Sequence, residues 1–120
     1  MSARSFDTGL RPEDLDRSRP RAVETPWGML ALYCVEGEIL AAQAFCPHLE
    51  GPLFEGSLRG DEIVCPWHQW RYSLRSGARV GIGALLSPST GNELLLADVQ
   101  CSASGTLVLS NPRRGSRSVP

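Results

Sequence analysis

The sequence predicts an all-β domain, a small antiparallel β-sandwich or barrel. Two observations carry this: the apolar runs are short and broken by frequent turn residues, and no segment keeps a helical apolar period over about twelve residues. At 120 residues there is material for one domain, not for a second of similar size. Residues 1–20 are polar, with prolines at 12 and 20, and read as an irregular lead-in with one helical turn at Pro12–Leu15. Arg21–Thr25 and Gly28–Val35 flank a Pro26-Trp27-Gly28 turn as a hairpin, and Glu36-Gly37 turns the chain into Glu38–Phe45. Leu58–Asp61 reads as a turn, Glu62–Cys65 and Trp70–Leu74 as strands, and Ser76-Gly77 as a break. Glu93–Cys101 and Thr106–Ser110 form a last hairpin across Ser102–Gly105. Residues 21–110 then make the domain, and 111–120, rich in Arg, Ser, Gly and Pro, a flexible tail.

A net charge of -1 and a pI near 6.1 give no concentrated basic surface, so neither nucleic acid nor an anionic membrane is an expected partner. Met1 to Arg17 contains no apolar run of the kind a secretory signal or membrane anchor needs, and the chain reads as cytoplasmic. In that compartment cysteines serve as ligands, catalytic thiols or packed residues more than as disulfides. Cys34 and Cys101 lie in strand-like apolar runs and are expected in the core, a bridge between them being the alternative.

The other two cysteines carry the chemistry. Cys46-Pro47-His48 and Cys65-Pro66-Trp67-His68 are separated by 16 residues and hold the only histidines of the chain. Thiolate and neutral imidazole in equal number suit zinc or one kind of iron–sulfur centre. Zinc fingers usually place two cysteines on one arm and two histidines on the other, so mixed arms favour a centre of two metals, with mononuclear zinc the rival. Pro47 and Pro66 stiffen their loops, and Gly51 provides either a tight backbone path or a positive φ.

These residues resemble the Rieske-type ferredoxin family. Cys46-Pro47-His48-Leu49-Glu50-Gly51-Pro52-Leu53 is similar to its first cluster loop, about residues 46–53, and Cys65-Pro66-Trp67-His68 to its second, about 65–70; the likeness covers about residues 20 to 110. It implies a sandwich carrying a cluster-binding subdomain of two loops. It also implies a [2Fe-2S] cluster with Cys46 and Cys65 on one iron and His48 and His68 on the other. Where the family commonly has glycine after the second histidine and an Asp near the next aromatic, this chain has Gln69 and Ser73. Leu86-Ser87-Pro88-Ser89 is the candidate third loop. The loop cysteines and membrane anchor of the high-potential branch are missing, yet Tyr72 resembles the tyrosine with which that branch donates to a cluster-ligand sulfur.

What the resemblance implies for function is a one-electron carrier that accepts from a flavin-dependent reductase and gives to a terminal Rieske oxygenase. The alternatives are a small Rieske subunit of a nitrite-reductase-like complex, and a redox-sensing or structural module. Both histidines are committed as ligands, so none remains for a catalytic site, and the chain is expected to act without transforming a substrate. Leu49, Pro52, Trp70 and Pro88 are the expected apolar docking rim around the histidine edge. Trp67 is expected beneath its own loop. Arg71, Arg75 and Arg79 form either a solvated face or a site for an acidic partner.

Overall fold

The computed structural model describes residues 5–47, 50–67, 69–81 and 93–115. Strands β1 (Ser5–Asp7), β2 (Arg21–Thr25), β3 (Gly28–Val35), β4 (Glu38–Gln43), β9 (Leu95–Cys101) and β10 (Leu107–Arg114) form one antiparallel sheet in the order β1-β10-β9-β4-β3-β2. A second, four-stranded sheet is built from β5 (Ser57–Arg59), β6 (Glu62–Val64), β7 (Arg71–Ser73) and β8 (Arg79–Val80) in sequence order. The all-β expectation holds, and no α-helix occurs among the described residues.

Local chemistry explains the hairpins. Glu36 and Gly37 both take positive φ, 52° and 85°, the backbone twist that suits a two-residue link between right-twisted strands, here Val35 opposite Glu38. At the β2–β3 turn the Thr25 hydroxyl accepts from Trp27 N–H at 3.0 Å and donates to the Gly28 carbonyl at 2.7 Å. Pairing of Ala41 with Ala97 and Ala42 with Leu96 then joins the N-terminal hairpins to the C-terminal one.

Strand β3 is buried on both faces, and its alternation sorts residues into two cores. Ala31, Tyr33 and Val35 pack with Ala42, Leu94 and Leu96 against Leu53, Ile63, Tyr72 and Leu74 of the smaller subdomain. Leu30 and Leu32 point the other way, onto Ala41, Ala97, Leu107 and Leu109. The smaller sheet is therefore held by half of the residues of a strand whose other half builds a separate core.

Four boundaries differ from the sequence expectation. The lead-in contains a strand, because β10 has a free edge onto which Ser5, Phe6 and Asp7 pair opposite Ser110, Leu109 and Val108. The helical turn is a 3-10 turn at Pro12–Asp14, closed by the Asp14 carboxylate accepting from Arg11 N–H at 2.9 Å. The expected tail continues β10 through Arg114, since Asn111 at φ 55° and Pro112 make a bulge instead of a stop. Strands β5 and β8, of three and two residues, are too short to leave a periodic signal.

Cys34 and Cys101 do not fill the core: Cys34 is half-buried, Cys101 is exposed at the end of β9, and both thiols are free. Strand β4 lies between theirs, so two strand spacings, roughly 10 Å, separate them, beyond the reach of a disulfide.

Candidate metal centre

The ends of β4 and β6 deliver Cys46 and Cys65 into two loops with one backbone design. Cys46 N–H donates to the Gly51 carbonyl at 2.7 Å and Glu50 N–H to the Cys46 carbonyl at 2.7 Å. In the second loop Cys65 N–H donates to the Trp70 carbonyl at 2.8 Å and Gln69 N–H to the Cys65 carbonyl at 2.9 Å. Each loop thus closes over the same interval, and each places a side-chain-bearing residue in the left-handed region four positions after its cysteine: Glu50 at φ 62° and Gln69 at φ 64°. Both cysteines are fully buried.

Gln69, standing where the resembling family commonly has glycine, takes a left-handed conformation at a cost of about 1–2 kcal/mol. Glycine would remove that strain and add about 0.5–1 kcal/mol of chain entropy to the unfolded state. Gln69→Gly should accordingly stabilise the protein by roughly 0.5–1 kcal/mol, seen as a higher urea midpoint with unchanged slope. A lower midpoint would mean the Gln69 side chain makes a compensating contact.

The positive φ falls on Glu50, and Gly51 serves the close approach instead. A Cβ on Gly51 would sit 3.0 Å from Cys65 Sγ and 3.1 Å from the Trp67 ring, so loop one lies directly against the thiol of loop two. Trp67 covers Gly51 from outside and is 63% exposed, which corrects its expected place beneath the loop. It is the exposed aromatic that sequence reasoning missed. A usable signal was its position between Cys65-Pro66 and His68, where a tight loop has no interior to hold an indole.

Behind the thiols stands Tyr72, fully buried, opposite Ile63 in the β6–β7 ladder. Its hydroxyl lies 3.2 Å from Cys46 Sγ. Burial, and then the hydrogen bond with Cys46, push the phenol well above the ordinary tyrosine range, so the oxygen keeps its proton.

Of the remaining expected site residues, His48, Leu49, His68 and Pro88 lie outside the described residues. Pro52 is partly buried and bridges Phe45, whose ring meets Phe54 edge-on at 5.6 Å. Trp70 is partly buried against the core, with the Arg79 guanidinium stacked 3.2 Å from its ring centroid. Arg71 and Arg75 are partly exposed and paired with carboxylates of the chain, which fits the solvated-face reading. Arg71 meets Glu62 at 3.7 Å, and Arg75 reaches Glu38 at 3.0 Å, Asp61 at 3.5 Å and Glu36 at 3.9 Å. An open groove of 760 Å³ runs beside loop one between Trp27, Met29, Phe45 and Pro47.

A small antiparallel β-domain that presents two buried thiols from twin loops at one end defines a metallodomain with soft anionic donors. The comparison with known proteins carries this to a family. The sequence model of the Rieske [2Fe-2S] domain matches residues 9–90, and the chain belongs to that family. It is 42% identical over 67 residues to the ferredoxin component of the p-cumate 2,3-dioxygenase system of Pseudomonas putida, covering 54% of this chain and 57% of the relative. It is 44% identical over 63 residues to the ferredoxin component of the naphthalene 1,2-dioxygenase system of Pseudomonas putida, covering 52% and 56%. The chain thus spans a little over half the length of these curated relatives. Among solved structures, the Sphingomonas yanoikuyae B1 ferredoxin superposes with a TM-score of 0.73 at 22% identity, over 90% of this chain and 99% of that one, a likeness of fold.

The cofactor of this chain is a Rieske-type [2Fe-2S] cluster. The described residues fit it: the two thiols are buried, loop one comes against the thiol of loop two with no room for a Cβ at Gly51, and a protonated phenol faces one sulfur. No helix among the described residues is long and apolar enough to cross a membrane.

Proposed function

We propose that this protein is a one-electron carrier of the cytoplasm, accepting from a flavin-dependent reductase and delivering to a terminal Rieske oxygenase, without transforming a substrate itself. The observation that carries the reading is the pair of twin loops, closed by matching hydrogen bonds, that aim two buried thiols at one place. Two of its relatives, those of the p-cumate and naphthalene dioxygenase systems, are named as ferredoxin components, which supports the same role here. In this reading Cys46 and Cys65 hold one iron and His48 and His68 the other. The bound cluster supplies reversible one-electron chemistry.

The residues around it do the rest. Leu53, Ile63 and Tyr72 keep water from the thiolate side. In this reading Leu49, Pro52, Trp70 and Pro88 serve as the docking rim, and Trp67, whose indole is exposed, is added to them. A shallow rim of this kind suits the small, short-lived interfaces of electron transfer.

As a thiolate, Cys46 can only accept, so Tyr72 donates, and a bond to the charged sulfur favours the reduced state. Tyr72→Phe should lower the potential by about 20 to 65 mV, the one-electron equivalent of about 0.5–1.5 kcal/mol. Voltammetry checks it, and an unchanged potential removes the tuning role.

The test of the function is reconstitution. With a flavin-dependent reductase and a dioxygenase, trace amounts of the loaded protein should restore product formation. A reduced protein that no oxygenase oxidises would sink the reading. His48→Ala and His68→Ala should each abolish the rhombic paramagnetic signal of the reduced protein, and persistence in both would overturn the ligand assignment.

A further inference from the structure

The least comfortable polar group among the described residues is the guanidinium of Arg79. Its Nε and Nη1 are buried, and neither has a hydrogen-bond acceptor. Guanidinium cannot shed its charge, so two buried N–H-bearing nitrogens without acceptors are costly unless a negative group nearby offsets them. None of the carboxylates that engage Arg71 and Arg75 reaches it.

Its place in the fold says where that negative group belongs. In the β7–β8 ladder Arg79 stands directly opposite Tyr72, so the two side chains share a face. Trp70, two residues before Tyr72, lies on that face too, and the guanidinium stacks 3.2 Å from its ring centroid. Tyr72 touches Cys46 of loop one, and the Trp70 carbonyl closes loop two by accepting from Cys65 N–H. The cation is thus seated against the two residues that back the two thiols.

We propose that Arg79 is a potential-setting residue: its fixed, uncompensated positive charge behind the thiolates stabilises the reduced state of the centre over the oxidised one. The inference rests on the cluster assignment above and deepens it. A [2Fe-2S] centre with two thiolates and two neutral imidazoles is neutral when both irons are ferric and gains one negative charge on taking up an electron. A neighbouring cation therefore acts almost wholly on the reduced form. Because Nε and Nη1 are buried, the attraction is less screened than that of a surface charge and should persist in part in salt.

The test is a redox titration of the cluster-loaded protein, followed through the rhombic signal, for the parent, Arg79→Met and Arg79→Lys. Methionine keeps the apolar stem over Trp70 and removes the charge, and lysine keeps the charge and loses the planar fork. The methionine variant should be harder to reduce by about tenfold in the equilibrium constant, a fall of about 59 mV, while lysine stays within about twofold of the parent. An unshifted methionine variant, or equal falls in both, would overturn the role of the charge. Should Arg79→Met fail to fold, Arg79→Gln makes the same neutral substitution. A parent protein that shows no rhombic signal would refute the cluster assignment itself, a result distinct from an intact signal at an unmoved potential.

Discussion

Alanine in place of Gly56 should cost roughly 3 kcal/mol or more of stability, the largest effect expected of any one-methyl change in the described chain. Gly56 ends the 3-10 turn Leu53–Glu55 that carries loop one into β5, and its N–H donates to the Leu53 carbonyl at 2.8 Å. A Cβ there would overlap the backbone carbonyl of Val64 and crowd that of Leu53 at 3.1 Å. Backbone cannot rotate away as a side chain can, so the strain must be taken up by shifting β6. Val64 immediately precedes Cys65, so the same shift should loosen the second loop. Urea unfolding and iron content measured on one preparation read both consequences, and parent-like values for Gly56→Ala would refute the close approach.

Valine at Gly51 should give the complementary result, a folded protein that has lost most of its iron and sulfide. Here the obstructed atoms are Cys65 Sγ at 3.0 Å and the Trp67 ring at 3.1 Å. Trp67 is largely in solvent and can move aside, but a Cys65 thiolate that holds iron, as in the proposed assignment, cannot. The branched side chain therefore acts at the thiol end of the first core and leaves the second core, around Leu30, Leu32 and Leu109, untouched. Far-ultraviolet dichroism close to that of the parent, together with iron and sulfide well below one cluster per chain, is the expected pair of readings. A full complement of cluster in Gly51→Val would remove the argument that the loops meet at this residue.

How legible the molecule was in its sequence depends on how local each cause is. The hairpins at Pro26-Trp27-Gly28 and Glu36-Gly37 are set by their own turn residues, and they stand where the sequence places them. The cysteine and histidine pairs are equally local, and they fall inside the stretch, residues 9–90, that matches the family. What was hidden depends on partners far along the chain. Ser5–Asp7 becomes a strand only because β10 offers an edge, and Asn111-Pro112 reads as a stop until the continued pairing of Arg113 with Leu96 shows a bulge. The exposure of Trp67 follows from Gly51 approaching from another loop. Arg71 and Arg75 read as free charges because Glu62, Glu36, Glu38 and Asp61 come to them from other turns and strands.

The two-sided burial of β3 means that durability and redox behaviour can be altered one at a time. Leu32 and Leu109 pack on the side away from the thiols, whereas Tyr33, Ile63 and Tyr72 pack on the thiol side. Repacking the far side should move the melting temperature at constant potential, and altering the near side should move both. A designer wanting a hardier protein of unchanged potential would begin with Leu30 and Leu32 of that one strand.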